Sequence, residues 1–249
     1  MSKMKKVSLG ILIAILALTF SGVIVIARAI TPQEKGKANA PDLEKIEFIH
    51  YKKDFAKPAG KPAKQPSCYK FFPAKVKWQS FPVEYAINPT NSNPQNLPEN
   101  FICGAVISSG ETWDAKTKKD LFGNYKDCPL DSAVNYGAQD GKNAISFGNY
   151  PKEGVIAVTT VWYNPALKTI AEFDIMFDTD FIWGDAVKEP EKMDLQNIAT
   201  HELGHGVGLS DVYETNCSEV TMYGYSTEGE IDKRTLETPD ITGLQTLYP

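Results

Sequence analysis

The stretch THELGHGVGLSD, at residues 200–211, contains side chains whose types and spacing fit a catalytic metal site. His201 and His205 are four residues apart, so on a helix both imidazoles lie on one face, one turn apart. Glu202 lies beside that face, where its carboxylate can reach a water activated by the ion. Catalytic zinc sites keep three protein ligands and one open position. The pattern therefore predicts a peptide-hydrolysing zinc site with Glu202 as the general base.

The third metal ligand within the folded body has to be a residue other than histidine. The chain has three histidines, and the remaining one, His50, lies in the N-terminal leader, where we assign it no ligand role. Gly208 can adopt a left-handed conformation that ends the helix and turns Asp211 back toward the ion. An Asp oxygen is a legitimate zinc ligand, so Asp211 is the predicted third ligand. The alternatives are Glu228, Glu230 and an unpaired Cys217.

A carboxylate ligand changes the expected chemistry, because it donates more negative charge to the ion than an imidazole does. The zinc should be a weaker Lewis acid, and the water that it activates should be less acidic. We therefore expect activity that is reduced, but not abolished, relative to a site with three histidines.

The elements that must position these residues belong to an acidic body that follows a basic leader. The chain has 249 residues, of which 42% are hydrophobic, enough for one large domain with a tail. Residues 1–66 carry 12 Lys/Arg and 5 Asp/Glu, whereas the remaining residues carry 14 and 26. A nucleic-acid-binding domain would be basic, so no nucleic-acid partner is expected.

The N-terminus has the features of an export signal. Three lysines precede an apolar run at residues 7–27, which as a helix would span roughly 31 Å, about one bilayer core. The run ends at Ala27-Arg28-Ala29, a pattern that a signal peptidase could cut. Residues 1–29 are therefore predicted to be a signal peptide or an uncleaved membrane anchor. The protein is predicted to be exported, either secreted or tethered to the outer face of the membrane.

Two further segments follow the export signal. Residues 30–67 are predicted to be a basic, Lys/Pro-rich linker or pro-like segment, in which the run KIEFIHY (45–51) is the part able to pair with the body. Residues 68–249 are the predicted catalytic domain. An even number of cysteines after an export signal predicts disulfides, with three connectivities open. The cysteines are Cys68, Cys103, Cys128 and Cys217.

Strand and helix patterns are mixed along the body. Helical patterns lie within residues 95–125, from Asp194 onward with Asp194 as the N-cap, and over residues 238–249 with Thr238 as the cap and Pro239 in the first turn. This mixture predicts an α+β, or mixed-sheet α/β, fold. Runs of β-branched and aromatic residues predict strands at 81–88, 143–150, 155–164 and 169–177.

The sequence HELGHGVGLSD, followed by VTMYGY at residues 220–225, resembles the metzincin metallopeptidases and, within them, the matrixin-like branch. The Asp form of the motif is similar to the snapalysins. The resemblance covers approximately residues 74–249. It implies a zinc endopeptidase built on a twisted mixed sheet with N-terminal, active-site and C-terminal helices. The implied roles are ligation of one zinc ion by His201, His205 and Asp211, general base catalysis by Glu202, and a structural floor at Met222.

The resemblance also implies how a polypeptide substrate binds. The substrate would lie antiparallel to the edge strand near residues 155–161, through backbone pairing. Tyr223 and Tyr225 are candidates for stabilising the oxyanion, and the resemblance does not choose between them.

Departures from the family pattern affect the accessory sites. A second, structural zinc should be absent, because Met176 stands where a histidine ligand would be. Calcium is left open, because Asp178 and Asp180 resemble part of a calcium site but Phe181 replaces an acidic ligand. Cys68 lacks the surrounding motif of a zinc-blocking propeptide cysteine, so a structural disulfide is the favoured role for it.

Two rival functions remain open at this stage. The first is a non-catalytic surface module that binds zinc for structure. The second is a membrane-tethered surface protein, held through residues 7–27, whose basic linker interacts with lipids or the cell envelope. The oligomeric state and the cleavage preference do not follow from the sequence.

Overall fold

The computed structural model describes residues 43–56, 67–90 and 95–249. The predicted signal or anchor segment, and most of the predicted linker, lie outside these ranges. Within them, no helix combines the length and the apolar character needed to cross a membrane.

A mixed sheet of six strands forms the centre of the fold, which confirms the predicted fold class. Its two longest strands, β5 (Val155–Asn164) and β6 (Thr169–Asp178), are antiparallel and almost entirely buried, as their runs of β-branched and aromatic residues favour. In spatial order the strands are β10 (Tyr225–Ser226), β1 (Glu44–Lys52), β5 (Val155–Asn164), β6 (Thr169–Asp178), β4 (Ala144–Gly148) and β3 (Ala86–Ile87).

Strand β1 comes from the predicted linker and lies inside the sheet. It pairs antiparallel with β5, from Glu44 opposite Tyr163 to Tyr51 opposite Val155. Its end pairs in parallel with β10, with Tyr51 opposite Tyr225. The run at residues 45–51 therefore pairs with the body, and it does so beside the strand that was expected to bind substrate.

Helices α1 (Glu99–Asp114) and α2 (Leu195–Gly206) pack against each other, and α2 packs against β5. Trp113 of α1 is fully buried, and its indole N–H donates to the carbonyl of Thr200 on α2 at 2.8 Å. Asp194 is the N-cap of α2, as predicted, because its carboxylate accepts the backbone N–H of Asn197 at 2.8 Å. The cap and the packed face fix the position and direction of α2.

Helix α3 (Thr238–Leu247) is the last helix of the described residues, and its predicted cap is wrong. The cap is Glu237, whereas Thr238 is the first helical residue. Glu237 and Asp240 form a reciprocal capping box, in which each carboxylate accepts a backbone N–H near the other. This arrangement satisfies two N–H groups at the helix start, which a Thr238 cap alone would not.

The predicted strand at 81–88 is reduced to β3, at Ala86–Ile87. The backbone N–H of Val83 donates to the carbonyl of Leu121, and that of Tyr85 donates to the hydroxyl of Tyr125. These N–H groups are therefore satisfied by a neighbouring loop and do not extend the sheet.

Short strand pairs and disulfides fasten the loops around the sheet. Strand β2 (Lys70–Phe71) pairs with β9 (Leu209–Ser210), and β7 (Trp183–Gly184) pairs in parallel with β8 (Met193–Asp194). The predicted disulfides are present, and their connectivity is Cys68–Cys217 and Cys103–Cys128.

Candidate metal centre

Helix α2 presents His201 and His205 on one buried face. The Nδ1 atom of His201 lies 2.7 Å from the carbonyl oxygen of Thr221, and that of His205 lies 2.8 Å from the carbonyl oxygen of Leu209. A carbonyl only accepts hydrogen bonds, so each Nδ1 carries the proton. Each Nε2 is then left with a lone pair that is free to bind a metal.

The loop after α2 brings Asp211 to these two nitrogens. Gly208 has φ of +102°, and a Cβ there would lie 2.7 Å from the carbonyl oxygen of Val76, so this turn requires glycine. The Oδ1 atom of Asp211 lies 3.1 Å from Nε2 of His201 and 3.4 Å from Nε2 of His205. The sequence-predicted ligands therefore come together, and we use the name metal centre for this candidate site of His201, His205 and Asp211.

The polar atoms of the metal centre fit a cation. Nε2 of His201 and Oδ1 of Asp211 are buried, and neither has a hydrogen-bond partner among the described residues. Both carry lone pairs directed at a shared space, and one ligand atom from each residue of the centre lies within 4.8 Å of the others. Two histidine nitrogens and a carboxylate oxygen are a donor set that zinc accepts.

Electrostatic interactions keep Asp211 ionised. Burial alone would raise its pKa, but without a metal His205 and His201, when protonated on the nitrogens that face Asp211, hold the pKa of this carboxyl well below its usual range. The Tyr213 hydroxyl donates to the Oδ2 atom of Asp211 at 2.9 Å. Burial and the Asp211 charge raise the pKa of Tyr213, so its hydroxyl stays protonated and remains a donor. Tyr213 therefore orients the proposed third ligand, although its position in the sequence did not predict this role.

Glu202 is fully buried, and both of its oxygens have partners. Its Oε1 atom lies 3.1 Å from Nδ1 of His50, and its Oε2 atom accepts the Thr159 hydroxyl at 2.5 Å. Burial opposes ionisation, but His50 and His201 offset it and lower the pKa of Glu202. Glu202 is thus a carboxylate beside the metal centre, which a proton-accepting role requires.

His50, for which no role was predicted, lies against the metal centre. Its ring centroid is 4.0 Å from that of His201, and its Nε2 atom is 3.0 Å from the hydroxyl oxygen of Ser226. Burial and the neighbouring His201 lower the pKa of His50 to about 4. The sequence does contain a signal for this placement. Side chains alternate between the two faces of a strand, so a strand at β1 puts His50 on the same face as the apolar Phe48.

Met222 packs beneath helix α2, next to Gly204. It is fully buried, and a Cβ at Gly204 would collide with its sulfur and lie 2.7 Å from Cζ2 of Trp113. The glycine therefore permits the close approach of this loop to the helix. The Tyr225 ring packs against Tyr213, with centroids 5.1 Å apart.

The alternative third ligands are engaged elsewhere. Glu228 pairs with Lys52 at 2.8 Å, and Glu230 pairs with Lys53 at 2.9 Å. Cys217 is in a disulfide with Cys68, so neither thiol is available for zinc in this structure.

The acidic residues of the candidate calcium site accept hydrogen bonds from protein groups. The Asp178 carboxylate accepts the backbone N–H groups of Tyr150 and Asp180, each within 3.0 Å. Asp180 accepts the side-chain amide of Asn149 at 2.9 Å. Calcium binding at this loop stays an open prediction.

Comparisons with known proteins find one family and several relatives. A family model described as Matrixin matches residues 77–249. The chain is 25% identical to mouse Stromelysin-1 over 178 residues, which cover 71% of the chain and 34% of that protein. It is 25% identical to the Hatching enzyme of Paracentrotus lividus over 74% of the chain and 28% of that protein. It is 27% identical to human Matrilysin over 72% of the chain and 61% of that protein. The matched region thus spans about a third of the first two relatives.

Proposed function

Because the chain belongs to the matrixin family of metalloendopeptidases, we propose that it is a zinc-dependent endopeptidase that hydrolyses polypeptides. The observation that carries the proposal is the metal centre itself. Two buried atoms with lone pairs, Nε2 of His201 and Oδ1 of Asp211, face each other without a hydrogen-bond partner among the described residues. Lone pairs that face each other in a buried space repel, and a bound cation removes that repulsion.

His201, His205 and Asp211 would hold the zinc ion. When bound, zinc supplies a Lewis acid that acidifies water and polarises a peptide carbonyl. The carbonyl oxygens of Thr221 and Leu209 fix the two imidazole tautomers, so that Nε2 of each histidine would be the atom that holds the ion.

Glu202 would accept the proton of the attacking water and pass it to the leaving amine nitrogen. Its lowered pKa keeps it ionised, and Thr159 holds one oxygen in a fixed direction. The other oxygen, which now meets His50, is the one that we assign to the water.

A second candidate function is a non-catalytic module that binds zinc. The burial of Glu202 favours it, because a general base has to meet water and substrate. Both functions require bound zinc. They differ in Glu202, which transfers a proton in the peptidase and takes part in no reaction in the module.

We further propose that the protein works outside the cytoplasm. The basic and apolar N-terminus of the sequence supports export, as do the two disulfides, which persist in oxidising compartments.

Cleavage of an unfolded protein, followed by mass spectrometry of the new peptide ends, tests the function. The wild type, a Glu202→Gln variant and a chelator-treated sample are compared. Each is tested as the full chain and after a cut between residues 57 and 66, which separates the segment that contains β1 from the rest of the chain. We expect chelator-sensitive cleavage that falls by about 10²–10⁴-fold in Glu202→Gln, with its zinc content unchanged. Equal cleavage by wild type and Glu202→Gln would rule out the proposed base, and zinc binding without any cleavage would favour the module.

A further inference from the structure

The edge of β5, where a substrate was expected to bind, is occupied by a strand of the same chain. Strand β1 runs antiparallel to β5 and parallel to β10. An antiparallel orientation to residues 155–161 is also the one expected for a substrate. The direction of β1 is therefore that of a bound substrate.

The buried face of β1 covers the metal centre. Phe48 stacks on the ring of His205, with centroids 4.0 Å apart and planes within 10°. Two residues later, His50 lies against His201, with centroids 4.0 Å apart. His201, Glu202 and His205 are at most 1% exposed, so a peptide cannot reach them while β1 is in place.

His50 also takes the position of a reactant at the proposed base. Its Nδ1 atom lies 3.1 Å from the Glu202 oxygen that we assign to the attacking water. Its other nitrogen lies 3.0 Å from Ser226 in β10. The imidazole thus bridges the proposed base and β10, the strand on the other side of β1 from β5.

The ion pairs at the end of β1 involve partly exposed lysine side chains, so these contacts can be exchanged for contacts with water. Lys52 and Lys53 pair with Glu228 and Glu230 at 2.8 and 2.9 Å, and both lysine side chains are partly exposed. All four cysteines of the chain follow β1 in sequence. A cut between residues 57 and 66 would therefore leave no covalent bond between β1 and the body.

We propose that β1 is an internal inhibitor, which fills the substrate cleft in the substrate's own direction and covers Glu202 with His50. The proposal rests on the proposed function, whose regulation it describes. It needs no zinc-binding cysteine, because Cys68 is in a disulfide. Release of β1 opens an edge of β5 that accepts an extended polypeptide with an aromatic side chain over His205.

Peptide binding tests this proposal independently of catalysis. The probe is a fluorescent peptide with the sequence of residues 44–52, titrated into the full chain before and after a cut by a sequence-specific protease at a site introduced between residues 57 and 66. The released segment is removed before the titration. Uncut His50→Ala and Phe48→Ala chains provide a second route that keeps the chain intact. Lys45→Ala, an exposed change on the same strand, is the matched control.

We expect the cut chain and the two variants to bind the peptide at least about tenfold more tightly than the wild type and Lys45→Ala, and to hydrolyse protein correspondingly faster. Tighter binding without hydrolysis would show that β1 occupies a peptide-binding site, and it would overturn the proposed peptidase and with it the inhibitory role. Hydrolysis by the uncut wild type at the rate of the cut chain would uphold the peptidase and overturn the inhibitor. If the cut chain unfolds and neither variant binds the peptide more tightly, β1 is a structural strand and the inhibitor is likewise overturned.

Discussion

Each residue of the metal centre is held by a second contact that fixes its orientation. The carbonyl oxygens of Thr221 and Leu209 hold the histidines, and the Tyr213 hydroxyl holds Asp211. Such outer contacts fix which atom faces the metal and how basic it is. The histidines are also positioned by helix α2, whereas Asp211 comes from the loop that follows it.

Tyr213→Phe should weaken zinc binding while the fold is retained. The change removes the hydroxyl that donates to Oδ2 of Asp211 and leaves the ring, which packs on Tyr225. We expect about 10- to 100-fold weaker zinc affinity, measured by competition with a chromogenic chelator. Tyr69→Phe, which removes a hydroxyl from a tyrosine outside the metal centre, is the control. Unchanged affinity in Tyr213→Phe would show that Asp211 is oriented without this tyrosine.

Asp211→His tests the expected cost of a carboxylate ligand. A neutral imidazole should leave the zinc a stronger Lewis acid, so that peptide turnover increases. The comparison is made on chains cut between residues 57 and 66, with zinc content measured alongside turnover. A variant that loses zinc would refute the expectation, because the loop would then be too close to accommodate a histidine.

The sequence predicted those candidate site residues whose positions depend on local spacing. His201, Glu202 and His205 follow from helix periodicity, and Asp211 follows from Gly208 and the histidine count. His50 was missed, because its partner Glu202 lies 152 residues away and nothing local to the leader indicates the contact. Long-range contacts of this kind depend on the sheet order, which the sequence does not specify.

Among the elements, helix α3 supports the metal centre from a distance. Asp240 is fully buried and accepts the backbone N–H groups of Thr221 and Met222 at 2.9 and 3.2 Å. It also accepts the N–H of Glu237 in the capping box. One carboxylate thus joins the start of α3 to the loop whose carbonyl holds His201.

Asp240→Asn should destabilise the protein. The new amide group would face backbone donors, leaving at least one buried N–H without an acceptor. We expect a loss of about 1–3 kcal/mol in the free energy of unfolding, measured by urea denaturation. Thr246→Ala, on the exposed face of the same helix, should change it much less. Equal effects from the two substitutions would contradict the proposed link.

The long, buried elements were predictable and the short ones were not. The run at 155–164 became β5 with those same bounds, because uninterrupted β-branched and aromatic residues have few other structures available. The run at 81–88 has similar composition, but its N–H groups bond to a loop that is distant in sequence. The α3 cap moved by one residue, because two carboxylates formed a better cap than a single threonine.

For the whole molecule, buried carboxylates should make stability depend on pH. On β6, burial raises the pKa of Asp174 to about 7, although the N–H groups of Gly137 and Ala144 oppose the shift. In an unfolded chain the pKa of an aspartate is about 3.9. Between this pH and about pH 7, the folded chain therefore binds more protons than the unfolded chain does. The stability that Asp174 contributes is therefore complete below about pH 4 and is lost as the pH rises through about 7.

Urea unfolding at several pH values between 4 and 8 tests this pH dependence of stability. We expect the unfolding free energy of the wild type to fall with rising pH relative to that of Asp174→Asn, which has no carboxyl group at this position. Asp127→Asn, at an exposed aspartate, should keep the wild-type slope. Parallel curves for wild type and Asp174→Asn would contradict the assignment.

The proposed function requires that His201, His205 and Asp211 bind one zinc ion. Anomalous diffraction at the zinc absorption edge, from crystals of the zinc-loaded full chain, locates that ion. We expect one strong peak among Nε2 of His201, Nε2 of His205 and an oxygen of Asp211. A peak held by other residues, or no peak at full zinc loading, would contradict it.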